Sequence, residues 1–385
     1  MPEQQQPEQQ PVRRRRGSGG WPLVAVLGLL ALLVAVRDAS RRATATAAAA
    51  PPSTVTAGGY PPISTSSPLS ATAGSTWAIR SVDTMKLSRD TLKAPLSDRQ
   101  IAEVVRQDAR LHLTHVAVDV FYDNPSYMER WVRAVRASGL HVWFRAHWYR
   151  WENHRDLRGD MSPRAYIDDT REFLQQYIDL FASGDIFDFC AEPENGAYWV
   201  QTYGQGWSWR SNKAAKRAFN TFIRSGVYMA GTTLAHRGRG DVLVTAISVD
   251  SSVAERLLSK PTVQRLGLIT LDLYPEGKTR DPATAARLFV AEIEKVHRKW
   301  PVPILIGEHG YARDIAVDDA TQARVLHSEL AALRRLPYVR GLNYWVDAGG
   351  PGYGGYTNLL RKVHGHWQPR PAAAVLANAF GNGKG

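Results

Sequence analysis

Cysteine is almost missing: Cys190 is the only one in 385 residues. That excludes an intrachain disulfide and any zinc site built on thiolates. No strand-like run ends in a His-x-His pair; His141 and His147 stand six apart, at opposite ends of one run. A metal-dependent hydrolase therefore lacks its usual ligands, and no metal or other cofactor is implied. Long basic runs are absent after residue 75, where 41 Lys and Arg face 33 Asp and Glu. Nucleic acid is not an expected partner. Glycine is missing after the first strand-like run, which continues Asp83-Thr84-Met85-Lys86-Leu87-Ser88-Arg89-Asp90. A phosphate-cradling loop needs glycine there, so an open dinucleotide-binding sheet is the weaker reading.

The chain begins with an address and a tether. Residues 1–20 are Gln- and Pro-rich, then basic at Arg13 to Arg16, and are expected to be disordered. Residues 21–36, Trp21 to Val36, give 16 apolar or glycine residues without a charge. That is a little short for a spanning helix of about 20 residues. It is a little long for a signal-peptide apolar region of about 7–15. The basic cluster ahead of it fits an N-terminus left in the cytoplasm. We read 21–36 as an uncleaved single-pass anchor in the cell membrane; the alternative is a cleaved signal peptide and secretion. Residues 37–75 read as a disordered linker, since 29 of the 33 residues from Ala43 to Ser75 are Ala, Thr, Ser, Pro or Gly. Such a stretch cannot bury enough apolar surface to offset its ordering entropy. Either route puts residues 76–385 outside the cytoplasm.

Residues 76–385 repeat one pattern eight times. The strand candidates are Trp77–Asp83, His115–Asp119, His141–His147, Asp185–Glu192, Val242–Val249, Leu268–Tyr274, Pro303–Glu308 and Gly341–Trp345. Helical patterns lie between them. Ser97 with Gln100 spells a capping box, and Asn124-Pro125, Ser162-Pro163 and Asp281-Pro282 each open a helix. The Ser162 helix is expected to run through Phe181 to Gly184. Strand and helix alternation implies parallel strands joined by right-handed crossovers. Eight units in about 300 residues match a (β/α)8 TIM barrel.

A barrel keeps its chemistry at the C-terminal ends of its strands. Polar residues recur there: Asp83, Asp119, Arg145 with His147, Glu192, Asp250, Asp272 with Tyr274, and Glu308. Two carboxylates stand out, Glu192 in Ala191-Glu192-Pro193 and Glu308 in Gly307-Glu308-His309-Gly310. Strands 4 and 7 of one barrel can face each other across its mouth. Glycoside cleavage needs such a pair, one acid to protonate the leaving oxygen and one carboxylate to attack or to activate water. Glu194 is a rival for Glu192; Glu192 is preferred because it is nearer the strand, and Glu194 is read as a solvated loop carboxylate. Trp148, Trp151, Trp199, Trp207 and Trp209 follow strands 3 and 4, and Tyr353 and Tyr356 follow strand 8. These aromatics are candidates to stack on sugar rings, with packing of the loops as the alternative.

These motifs resemble the clan A glycoside hydrolases, which are retaining (β/α)8 enzymes. The resemblance covers most of residues 76–385. It implies that Glu192, ending strand 4, is the acid/base and that Glu308, ending strand 7, is the nucleophile. It implies that Tyr274 contacts the nucleophile and that Trp345 is a sugar platform. Asp119, Arg145, His147, Trp148 and Asp272 complete the expected substrate-binding set. The substrate implied is a β-linked oligo- or polysaccharide. One departure stands out: Ala191 occupies the position where the group has Asn, which bonds the sugar 2-hydroxyl. Ala191 cannot make that bond, so a non-catalytic, membrane-anchored carbohydrate-binding barrel is the alternative.

Overall fold

The computed structural model describes residues 77–120, 122, 124–146, 148, 151, 161–204, 212–274, 279–311, 318–349 and 357–381. The expected disordered segment, anchor and linker, with His147, Trp207, Trp209, Tyr353 and Tyr356, lie outside the described residues. Among the described residues, no helix is long and apolar enough to cross a membrane.

Eight parallel strands form one sheet: β1 (Ile79–Asp83), β2 (His115–Val120), β3 (His141–Ala146), β4 (Ile186–Asp188), β5 (Ser248–Asp250), β6 (Ile269–Asp272), β7 (Ile304–His309) and β8 (Val339–Trp345). Their order is β4-β3-β2-β1-β8-β7-β6-β5. Hydrogen bonds then draw the β4 and β5 ends together. Phe187 N donates to Leu243 O at 2.9 Å, Leu243 N to Asp185 O at 2.9 Å, and Glu192 N to Ser248 O at 3.1 Å. The sheet is thus a near-closed barrel. The run Val242–Val249 does not form one continuous strand. Leu243 bridges to Ile186, and only Ser248–Asp250 enters the ladder with β6.

Alternation along the strands builds the inside in layers. The floor is a buried cluster of Ile79, Ala117, Trp143, Ile186, Ala246, Leu268 and Leu305. Strand β8 contributes Gly341, where a Cβ would lie 2.3 Å from Ile79 O. Two residues further along β2, β3 and β4 come Asp119, Arg145 and Asp188, so a polar layer sits directly on the apolar floor. The opposite strand faces, with Val82, Val118, Phe144, Phe187 and Val249 among them, join the larger core. Burying each such side chain contributes about 1.5–3 kcal/mol.

Helix starts follow their side-chain signals. Ser97 and Gln100 close a reciprocal capping box before Asp98–Ala109. Asn124, Ser162 and Asp281 cap Pro125–Ala137, Pro163–Gln176 and Pro282–Lys299. The Ser162 helix stops at Gln176, short of Gly184; a 3-10 turn, Ile178–Leu180, follows it. After the barrel come an antiparallel hairpin of Leu360–Val363 with His366–Pro369, and a last helix, Pro371–Gly381.

Candidate active site

Glu308 reaches the pocket because β7 carries a bulge. Pairing with β6 steps from Leu271 opposite Ile306 to Asp272 opposite Glu308, which leaves Gly307 as an extra residue. A bulge re-aims the side chains after it. Gly307 is glycine for a steric reason: a Cβ there would lie 2.5 Å from Asp272 Oδ1 and 2.8 Å from Thr270 Cγ2. The carbonyl of Gly307 accepts from Arg145 Nη1 at 2.7 Å and from Asn343 Nδ2 at 2.9 Å. The next residue, His309, faces the helices instead. Its Nε2 lies 3.1 Å from Glu329 Oε2, and its ring stacks on Phe289.

Each oxygen of Glu308 has a donor. Arg145 Nη2 donates to Oε1 at 2.5 Å, and Tyr274 OH donates to Oε2 at 2.6 Å. The carboxylate is held in one orientation by two elements, β3 and the end of β6. Burial of the Tyr274 hydroxyl and the adjacent Glu308 charge hold that phenol well above its usual range.

Arg145 is fully buried and sits among four carboxyl groups. Beyond Glu308, Asp272 lies 3.6 Å away, Asp83 3.7 Å and Asp188 3.9 Å. Burial works against the guanidinium charge. The four carboxyls outweigh it and hold the Arg145 pKa well above normal. Burial pushes Asp83 and Asp188 up to about 7, against the pull of Arg145. Burial, and then the Glu308 charge, holds Asp272 well above the usual carboxylate range. Asn343 donates to Asp83 at 2.9 Å, and Ser248 Oγ donates to Asp188 at 3.0 Å. Sequence reasoning did not single out Asp188, Ser248 or Asn343. Their signal is positional: each lies two residues beyond a residue of the barrel floor (Ile186, Ala246 and Gly341).

Glu192 adopts the left-handed conformation, with φ 47° and ψ 56°. A non-glycine residue there costs on the order of 1–3 kcal/mol, which its surroundings must offset. Glu192 N donates to Ser248 O, and Asn195 N donates to Glu192 O at 2.9 Å. Asn195 Nδ2 donates to Glu192 Oε2 at 3.0 Å. Pro193 O accepts from buried Trp199 Nε1 at 2.8 Å. The turn delivers the side chain to the pocket: one carboxyl oxygen each from Glu192, Asp272 and Glu308 lie within 4.8 Å of one another. Such a trio could hold a cation, and Arg145 already brings a positive group to two of its members.

The remaining predicted residues divide. Asp119 is the last residue but one of β2 and is paired with Arg89 at 2.9 Å. Trp148 lays one ring face on Tyr122, with centroids 3.6 Å apart, and donates to Thr170 Oγ1 at 2.9 Å. Trp345 is half-buried, beside Asp83 in the β1–β8 register, and the peptide that follows it is cis. Trp151 and Trp199 are not on a sugar-facing surface: both are fully buried, 5.7 Å apart edge to face, under the Glu192 turn. Asp250 caps the helix Ser251–Arg256 by accepting from Ser252 N. Glu194 is not a solvated loop carboxylate. Its Oε1 accepts from Asp250 N at 2.8 Å, and its Oε2 is shut off from solvent.

No protein-family model matches the chain, and no curated protein matches it by sequence. Solved structures do match its fold. A β-glucuronidase of Ruminococcus gnavus superposes with a TM-score of 0.53 at 13% identity, covering 74% of this chain and 47% of that one. A β-D-glucuronidase of Dictyoglomus thermophilum gives 0.54 at 12%, covering 80% and 50%. A family 39 glycoside hydrolase of Bacteroides cellulosilyticus WH2 gives 0.53 at 10%, covering 80% and 64%. The chain spans about half the length of the two glucuronidases it matches. At these identities the likeness establishes a shared eight-stranded barrel fold, the fold of these glycoside hydrolases.

Proposed function

We propose that the chain is a glycoside hydrolase that cleaves β-glycosidic bonds of an oligo- or polysaccharide with retention of configuration. One observation carries this reading: carboxyl oxygens of Glu192 and Glu308 approach within 4.8 Å of each other. Retaining enzymes hold their two carboxyl groups about 5–5.5 Å apart, whereas inverting enzymes leave about 6.5–9.5 Å for a water. Glu308, oriented by Arg145 and Tyr274, attacks the anomeric carbon. Glu192 gives its proton to the departing oxygen and then takes one from the water that releases the sugar. Trp345 and Trp148 are proposed to border the sugar, with Asp119 and Asp272 near its hydroxyls. The test is proton NMR of the first-formed product from a panel of β-linked glucans, mannans, galactans and xylans. A β-anomer appearing first supports the reading, and an α-anomer appearing first overturns retention.

Among the described residues the cations near Glu308 are already paired, which supports an uncharged sugar over the uronic acids named for the two neighbours. Arg145 is surrounded by four carboxyls, Arg89 is paired with Asp119, and Lys86 with Asp90. A uronate would enter beside the Glu308 carboxylate and meet like charge. Aryl β-glucosides or β-galactosides should be turned over faster than the aryl β-glucuronide. The reverse order would overturn this assignment.

A second reading, a carbohydrate-binding barrel without turnover, rests on Ala191, which is buried and offers no polar group where the resembled enzymes have Asn. Absence of products from every panel member, with retained binding, would favour it. We also propose that residues 21–36 anchor the chain in the cell membrane and that the barrel works outside the cytoplasm. Arg13 to Arg16 ahead of the apolar run, and the uncharged linker after it, support that arrangement.

A further inference from the structure

Tyr274 orients Glu308, yet it stands two residues beyond β6, whose ladder with β7 ends at the pair Asp272 and Glu308. It is 39% exposed, so packing alone does not fix its ring. Its backbone is fixed through Leu273. Leu273 N donates to Glu308 O at 2.9 Å, and Leu273 O lies 3.0 Å from His309 Nδ1. Both backbone groups of the residue before Tyr274 are thus committed to the pair Glu308-His309.

The His309 side chain is built for that bond. It is fully buried on the helix side of β7. A carbonyl oxygen only accepts, so Nδ1 carries the hydrogen. Nε2 faces Glu329 Oε2, from the helix Asp319–Leu333, at 3.1 Å. The ring lies on Phe289 with centroids 4.1 Å apart. A ring turned over would set carbon atoms against both polar partners. Whichever of Nε2 and Glu329 holds the proton between them, Nδ1 still donates to Leu273.

We propose that His309 is a positioning residue for Tyr274: by donating from Nδ1 to Leu273 O, with Glu329 holding its other nitrogen, it sets the Tyr274 hydroxyl on Glu308 and so aims the nucleophile. This rests on the glycosidase reading of Glu308. Being fully buried, His309 meets no substrate and acts through Leu273 and Tyr274.

The experiment separates the two ring nitrogens. His309→Asn puts an amide where Nδ1 stands and keeps a donor for Leu273 O. His309→Gln puts the amide where Nε2 stands, keeps a partner for Glu329 and leaves Leu273 O bare. Both are made in the full chain, alone and together with Tyr274→Phe, and assayed on an aryl β-glycoside that the parent hydrolyses. Alone, His309→Gln should lower kcat by about 10²-fold with KM within about threefold, while His309→Asn stays within about fivefold of the parent. Added to Tyr274→Phe, His309→Gln should cost less than about threefold more, because the bond it breaks acts through Tyr274. A merely structural histidine would cost the same factor in both backgrounds, and that result overturns the proposal. So does a fall in His309→Asn equal to that in His309→Gln. If His309→Gln does not fold, His309→Phe/Glu329→Leu takes its place; it keeps a ring on Phe289, removes the buried acid and gives Leu273 O no donor.

A second readout needs no turnover: the carbon-13 resonance of Tyr274 Cζ, identified by its loss in Tyr274→Phe. It should move in His309→Gln toward its position in Glu308→Ala, and hold in His309→Asn. An unmoved resonance in His309→Gln overturns the proposal. A moved resonance, in a parent that hydrolyses no β-glycoside, would instead overturn the glycosidase reading and leave the tie to Tyr274 intact.

Discussion

Asp83 and Asp188 are the plainest electrostatic consequence of building a polar layer inside a barrel. An Asp carboxyl normally titrates near 3.8, and burial lifts both to about 7. Between those values the folded chain holds protons that the unfolded chain has released. Raising the pH from about 4 to about 7 therefore removes stability through these groups. His115 acts the other way: burial lowers it from 6.5 to about 4, so over that interval the unfolded chain holds the extra proton. The informative readout is thus a difference between proteins. Asp188→Asn should show a smaller loss of melting temperature, or a larger gain, than the parent between pH 4 and 7. Equal slopes would contradict the assignment. Arg145, Asp272, Tyr274 and both glutamates were legible in the sequence because they end strand-like runs. Asp188 was not, because it lies inside a run that reads as apolar strand. A charge there is tolerable only beside Arg145, and that pairing depends on which strands become neighbours.

Strand β7 shows what a strand pattern hides. Its apolar run predicts the element well, but strict alternation would put Gly307 and Glu308 on opposite faces. The bulge lets Glu308 turn to the pocket while Gly307 makes room for Asp272. A glycine inside a strand is a hint of such a bulge, without fixing its register. Gly307→Ala should cost about 1–3 kcal/mol through overpacking, read as a lowered melting temperature. The added Cβ would lie 2.5 Å from Asp272 Oδ1 and 2.9 Å from Ser248 Cβ, so unaltered stability would contradict the packing described. Strand β5 was overextended for a related reason. Apolar periodicity does not separate a ladder strand from a buried extended segment, and Leu243 belongs to the latter. The tryptophans after β3 and β4 carried the same ambiguity. Trp151 and Trp199 resolve it by burial beneath the Glu192 turn, where Trp151 packs on Phe222 and Tyr166.

Eight β/α units were readable along the chain because the helices opened at Ser97, Asn124, Ser162 and Asp281 carry their own start signals and each strand its own apolar run. The closing hairpin and last helix were not, since they follow the eighth unit and repeat nothing. The proposed organisation separates a tether from a barrel that works alone. Removing residues 1–75 should move the protein from the membrane to the soluble fraction and leave hydrolysis and melting temperature as in the parent. Loss of folding on truncation would contradict that division. Glu192 and Glu308, the proposed catalytic groups, come from the barrel, 116 positions apart in sequence, and meet because strands 4 and 7 bring their ends together. Hydrolysis of a confirmed β-glycoside by Glu308→Gln tests that meeting most directly. Turnover should fall by about 10³-fold or more with circular dichroism and melting unchanged; a folded Glu308→Gln protein that hydrolyses at the parental rate would contradict it.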